Sequence, residues 1–440
     1  MRLRSLLVVT ALLSGLLPLA HCGGQIGAAP DGGDAALPPV RADAGKPDVA
    51  PPRPDPKTGE VVVIELGSVP AGVPVSFTIP DNALGFNLVA KRGGVGTLVG
   101  VESLVSPTGK VVLSGHVPAG GTTETTLSDY GIVAAEAPQT DAEGAMPFER
   151  GTWKAIFSAD GPVEASVRVQ TTADGVFHGG MIDMHVYVPS GLVADGTVIS
   201  SAAQAARDPA IAERLDAFYG LARLRFDLDR GKVAFHDVPG KFATIDSDAA
   251  LLQAFALAGT GGAADGAQAI HVVLTNELLG GEAWGIAPGI PGAHTRTGTP
   301  MSSVALALLG PADLDGVALF HEVGHFFGLN HTSEFEPGFF DPLSDTPRCL
   351  DMDPNDPMKL LACPDVKNFM FPTVGTTFDR VTVEKSQAIV FDSSPAIRAY
   401  LDEAQRKLRP PSPPMKDVHG ELATRLRIGA RCVGGRLSRR

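Results

Sequence analysis

A chain of 440 residues, 44% of them apolar, has material for two ordinary domains with real cores. Its formal net charge of −13 excludes the basic field of a general nucleic-acid binder. The 51 glycines and 36 prolines, against 6% aromatics, suit a loop-rich secreted protein with β structure rather than a helical bundle.

Residues 1–21 read as a signal peptide: Arg2 and Arg4 precede an apolar run, Ser5 to Leu19, too short to span a membrane. The run closes on LAHCGG, which resembles the lipobox of bacterial lipoproteins, with His21 standing where a small residue is usual. That resemblance implies export, lipidation at Cys22 and a lipid anchor to a bacterial membrane, at the outer membrane or cell surface. Ordinary secretion is the alternative. Residues 22–58 hold little that is large enough to bury and read as a disordered Pro/Gly/Ala-rich tether.

Over residues 59–173 the apolar positions recur with period two between turn signals, as in VVVIEL, VSFTIP, FNLVAKR, TWKAIFSA and VEASVRVQTT. This predicts an all-β sandwich. The pieces VSPTGK and GTWKAIFSADG resemble accessory β-domains fused to secreted proteases, which implies a binding or spacer role. Over 174–406 strands alternate with helices. MIDMHVYVP and IHVVLTNEL read as strands, Asp208 and Pro209 open a helix, GGEAWGIAPGIPG suits a sheet rim, and MSSVALALL offers a further strand. The expected architecture is therefore multidomain: the sandwich, then a mixed α/β (α+β) domain. Residues 407–440 form a basic, Pro-rich tail, read as solvated, with contact to anionic lipid or glycan as the alternative.

The chemistry concentrates in HEVGHFFGLNH, His321 to His331. Asp313 is placed to cap a helix through Leu314, Val317 and Ala318. On it His321 and His325, four apart, project from one face. Gly328 can take the left-handed conformation that ends the helix, and His331 returns from another direction. Three neutral histidines leave a fourth position open, the pattern of a catalytic Zn2+ site. Glu322, about 100° around the helix from His321, can act as general base. Zinc lowers the pKa of its water toward roughly 7, and the carboxylate takes the proton as water attacks a carbonyl, then delivers it to the leaving amine. A buried helix with histidines satisfied by carbonyls is the bland alternative, and five fixed motif positions outweigh it. The other eight histidines, His21, His116, His178, His185, His236, His271, His294 and His419, are scattered and read as structural.

HEVGHFFGLNH resembles the zinc signature of the metzincin metalloproteases, and NFMFP resembles their methionine turn, with Met370 an apolar floor rather than a ligand. HEVGHFFGLNHT, LSDTPRC and NFM look most like the pappalysin branch, over about Gly280 to Gln387. That resemblance implies a disulfide between Cys349 and Cys363, leaving Cys432 unpaired, and Ca2+ near Asp341, Asp345, Asp351 and Asp353. Two departures stand out: Pro372 replaces a tyrosine, and no cysteine lies between Gly23 and Arg348 to hold a latent state. The implied function is a zinc-dependent endopeptidase on extended protein or peptide substrates laid along Trp284 to Pro291. The alternatives are a catalytically silent binding lipoprotein that keeps the zinc helix as scaffold, and a zinc amidase acting on cell-wall peptides. The intact Glu322 argues for an enzyme, since a scaffold does not need it.

Overall fold

The computed structural model describes residues 55–258, 268–281, 283–295, 298–353, 356–373 and 380–409, and the strand 431–434 as backbone alone. The expected signal peptide, Cys22, most of the tether and most of the basic tail lie outside the described residues.

Period-two alternation builds two facing antiparallel sheets. In the first, Val61–Val69, Val163–Thr171, Ala83–Lys91 and Ile132–Ala137 pair in that order. In the second, Gly151–Ala159 lies between Val75–Ile79 and Val99–Val105. Phe77, Phe86, Trp153 and Phe157 fill the space between them, Phe86 meeting Trp153 edge-to-face at 5.1 Å. Each buried aromatic contributes about 1.5–3 kcal/mol by leaving water. One strand departs from simple alternation: Ala83–Lys91 is buried at every position but the last. Its second face is covered too, since Val89, Ile132 and Ala134 pack with Ala293 and Met301 of the later chain. Sandwich and later chain belong to one compact unit.

The later chain forms a nine-stranded mixed sheet. Gly180–Pro189 runs parallel between Leu228–Val238 and Ala269–Thr275, and Val304–Ala307 continues the parallel set. Successive residues serve opposite faces. Met184, Val186 and Val188 meet the helices Pro209–Phe226 and Ala312–Phe326, whereas Tyr187 and Val273 meet Asp248–Ala258. Asp208 caps the first helix by accepting from the N–H groups of Ala210 and Ile211, with Pro209 in its first turn, as the sequence predicts.

Two expectations need correction. Asp313 is not the cap of the Ala312–Phe326 helix: Pro311 is, and Asp313 lies in the first turn, where its charge suits the helix dipole. The glycine-rich rim is not a free edge. Ala283–Ala287 is wholly buried and pairs antiparallel with Val304–Ala307 on one side. On its other side run Glu277–Leu278, antiparallel, and the chain's own Arg431–Gly434, parallel.

A buried ion pair ties the two helices and this strand together. Asp315, fully buried, accepts from Arg214 Nε at 2.7 Å, Trp284 Nε1 at 2.7 Å and the Gly310 N–H at 2.9 Å. Arg214, itself buried, also binds Asp195. Removing Asp315 would leave a buried guanidinium and an indole N–H short of acceptors. Asp315→Ala is expected to lower unfolding free energy by about 3–5 kcal/mol, as read by urea denaturation.

Candidate metal centre

The Ala312–Phe326 helix stops because Gly328 takes φ +91°. The Gly328 N–H donates to the His325 carbonyl, and the Leu329 N–H donates back to Gly324, each at 2.9 Å, closing a Schellman turn. This turn sends the chain back so that His331 faces His321 and His325. Each imidazole is then fixed through Nδ1. His321 donates to the Phe369 carbonyl at 2.6 Å, His325 to the Leu329 carbonyl at 2.7 Å, and His331 meets Glu334 Oε1 at 2.8 Å. A carbonyl oxygen only accepts, so His321 and His325 carry their proton on Nδ1 and present a lone pair at Nε2; the Glu334 carboxylate imposes the same tautomer on His331.

Those three Nε2 atoms converge. His331 Nε2 lies 3.2 Å from that of His321 and 3.1 Å from that of His325. Lone pairs at that separation cannot hydrogen-bond to one another and repel unless a cation lies between them. With metal–nitrogen bonds of about 2.0–2.1 Å the spacing subtends about 100° at the ion, near the tetrahedral value. Burial pushes the His321 imidazole down to about 3 and that of His325 well below its usual range, so both are neutral at pH 7 and available as ligands. The residues present fit zinc.

Glu322 is completely buried on the same helix, and Gly285 of the Ala283–Ala287 strand lies directly against its carboxyl group. Any side chain at 285 would occupy that space. Met370, also fully buried, packs under the helix at Gly324, where a Cβ would stand 2.5 Å from its sulfur. Its turn supplies the Phe369 carbonyl to His321, and the Met370 carbonyl receives the Thr332 N–H at 3.1 Å.

Cys349 and Cys363 are joined as a disulfide. Beside it, buried Asp365 accepts from the hydroxyls of Thr332 and Ser333, both at 2.7 Å, tying the bridged loop to the residues that follow His331. The four aspartates named for calcium form no metal-ligating group among the described residues. Asp341 is buried and accepts from Thr346, Asp345 accepts from the Ser386 N–H, and Asp351 is exposed and paired with Lys359. Asp353 joins no metal-ligating group either: among the described residues, such groups are the three histidines and a set built on the two bonded cysteines with Asp365. Among the other histidines, sheet register brings His185 and His236 into a 2.8 Å hydrogen bond and His271 to the Tyr187 hydroxyl at 2.8 Å.

Sequence reasoning missed Glu334, Asp365 and the two carbonyls that orient the ligands. The spacing His331-x-x-Glu334 was the one available signal; backbone carbonyls leave none.

No family model and no curated protein matches the chain. Among solved structures, archaemetzincin from Methanopyrus kandleri is similar at 17% identity over 52% of this chain and 93% of that one, with a TM-score of 0.24. A Bacillus subtilis protein is similar at 11% identity over 46% of this chain and 45% of that one, TM-score 0.13. At these scores the likenesses carry no argument, and the reading of the centre rests on its histidine geometry.

Asp341 provides a test of the loop that precedes the disulfide. Burial pushes its carboxyl up to about 7 from 3.8, against the donors Thr346 and Leu343. The folded chain therefore keeps a proton that the unfolded chain releases near pH 4, and stability falls as pH rises from there through 7. The loss is about 4 kcal/mol across that range. Asp341→Asn is expected to remove this slope in the difference between parent and variant, measured by urea unfolding from pH 4.5 to 8.

Proposed function

We propose that this chain is a zinc-dependent endopeptidase that hydrolyses peptide bonds of extended protein substrates. One observation carries the reading: three Nδ1-anchored imidazoles converge at their Nε2 atoms, and the helix that carries two of them also carries the buried Glu322. A zinc ion held by His321, His325 and His331 would supply Lewis acidity toward water and the scissile carbonyl.

The chain's own groups account for the rest. Phe369, Leu329 and Glu334 hold the ring protons at Nδ1 and so keep the lone pairs aimed inward. Glu322 takes the proton of the attacking water and returns it to the leaving amine. Its neighbour Gly285 keeps the space beside that carboxylate clear. Met370 fills the floor beneath the imidazoles and excludes solvent from below. An extended substrate adds its backbone to the Ala283–Ala287 strand by displacing Arg431–Gly434, which runs there in the free chain. The leader and Cys22 support an exported protein anchored to a membrane by lipid. Calcium is not part of this proposal, because the aspartates that suggested it form no metal-ligating group among the described residues.

The test is cleavage of a peptide library by the full-length chain, beside Glu322→Ala and His321→Ala, with zinc content measured for each. The parent is expected to hold one zinc and cut. Glu322→Ala should keep the zinc and lose turnover about 10²–10⁴-fold, and His321→Ala should lose both. Zinc bound to parent and Glu322→Ala with cleavage by neither would favour the silent binding lipoprotein. A parent that holds no zinc ends the metal reading altogether.

Substrate placement predicts a further effect. Adjacent residues of a strand point their N–H groups to opposite sides, so replacing both Cys432 and Val433 by proline removes any donor from 432 or 433 to Ala283–Ala287. Turnover of long peptides is expected to rise in that double variant; unchanged turnover would move the substrate off this strand.

A further inference from the structure

The sandwich reaches the metal centre itself. Glu136, on the strand Ile132–Ala137, faces the helix-ending turn: its Oε2 lies 3.1 Å from where a Cβ on Gly328 would stand, and Gln139 Cγ lies 3.7 Å from the same point. Gln139 Nε2 also donates to the Ile290 carbonyl at 3.3 Å. Around this contact the sandwich grips the segments on either side of the centre. Asn87 donates to the Gly292 carbonyl at 3.2 Å, Asp141 accepts from the Ser344 N–H at 2.7 Å, and Thr122 accepts from the Phe340 N–H at 2.9 Å.

Glu136 is an expensive residue in this place. It is buried, and its carboxyl oxygens make no hydrogen bond of good geometry, the Ser394 hydroxyl being near but poorly aligned. Burial pushes its pKa well above the usual carboxylate range, eased only by the nearby Ser394 hydroxyl. A buried carboxyl so poorly paired lowers stability, so the fold alone does not account for it. Misfits of this kind are expected where a site needs a shape that packing would not otherwise choose. What the shape holds here is the Gly328–Leu329 turn, and the Leu329 carbonyl is the acceptor that fixes the tautomer and aim of His325.

We propose that Glu136 and Gln139 are positioning residues of the metal centre, bracing the Gly328–Leu329 turn by their bulk so that His325 Nε2 stays aimed at the ion. The sandwich is then a wall of the centre rather than a spacer. This inference rests on reading the three histidines as a metal site.

The experiment measures zinc affinity of the full-length chain by competition with a chromophoric chelator, together with the melting temperature of the zinc-free protein. Five variants are compared: Glu136→Ala, Glu136→Gln, Gln139→Ala, Val89→Ala and His321→Ala. Glu136→Ala is expected to weaken zinc binding by about 10–100-fold, the range for outer-shell changes, while the zinc-free chain melts no lower than the parent. Gln139→Ala should shift affinity in the same direction. Glu136→Gln keeps the bulk and should bind zinc as the parent does. Val89→Ala loosens the same interface away from the turn, at Ala293 and Met301, and should lower the melting temperature without changing zinc affinity.

Parent-like affinity in Glu136→Ala overturns the proposal. So does a loss that merely tracks melting temperature across Glu136→Ala and Val89→Ala, or an equal loss in Glu136→Gln. His321→Ala separates the two readings. If it binds zinc like the parent, the metal centre itself is wrong; if it loses zinc while Glu136→Ala does not, only the bracing fails.

Discussion

Everything proposed for this chain depends on three protons held at Nδ1. An imidazole is a useful metal ligand only when its other nitrogen has a fixed acceptor, and each of the three finds one: a carbonyl at 369, a carbonyl at 329 and a carboxylate at 334. Those acceptors come from three separate places in the chain. The methionine turn supplies one, the Schellman turn another, and the residues just past His331 the third. The centre is thus an agreement among loops, which the mixed sheet and its helices hold in register.

That dependence explains why so much of the surrounding structure is devoted to holding loops. The disulfide and Asp365 secure the segment that follows His331, and Met370 packs against Gly324 so that its turn cannot drift from His321. The Arg214–Asp315–Trp284 network fixes the start of the motif helix against the strand that carries Gly285. A buried ion pair is rarely the most stabilising choice for such a position, but its three directed hydrogen bonds set the helix's orientation more narrowly than apolar packing would. The sandwich adds the same kind of restraint from outside. Two strands of its first sheet, Ala83–Lys91 and Ile132–Ala137, are buried on both faces, and Asn87 with nearby loop side chains addresses carbonyls and N–H groups flanking the centre.

Legibility in the sequence followed the distance over which each feature is decided. The motif helix, its two histidines on one face and the Gly328 turn are set within eleven residues and could be read directly. The same holds for the Asp208 cap and the sandwich strands, whose alternation is local. Met370 and the disulfide came through a family resemblance, since no spacing rule predicts either. Asp313 was misjudged as a cap because Pro311, with no side-chain hydrogen bond to offer, gives no capping signal. The rim segment was misjudged because glycine and proline depress strand propensity whether or not a strand has neighbours, and its neighbour at 431–434 is over a hundred residues away. The aspartates of the 341–353 loop are near in sequence, yet the loop sends them apart: Asp341 inward to Thr346, Asp351 outward to Lys359.

The contact between Glu136 and Gly328 is the extreme case of that rule. The two residues lie far apart in the chain, and neither is singled out by its own neighbourhood: IVAAEA does not alternate and gives no burial signal for its one glutamate, and a glycine after a helix reads as a cap. Only the docking of the sandwich against the helix-ending turn makes the first a buried carboxyl and gives the second a close neighbour. A turn with φ +91° already favours glycine; the carboxyl 3.1 Å from its missing Cβ would have to shift to admit a side chain. Two independent reasons for one residue indicate that this junction is where the sandwich and the metal centre constrain one another. On the bracing proposed above, the geometry of His325 depends on a strand near residue 136 as well as on the motif that contains it.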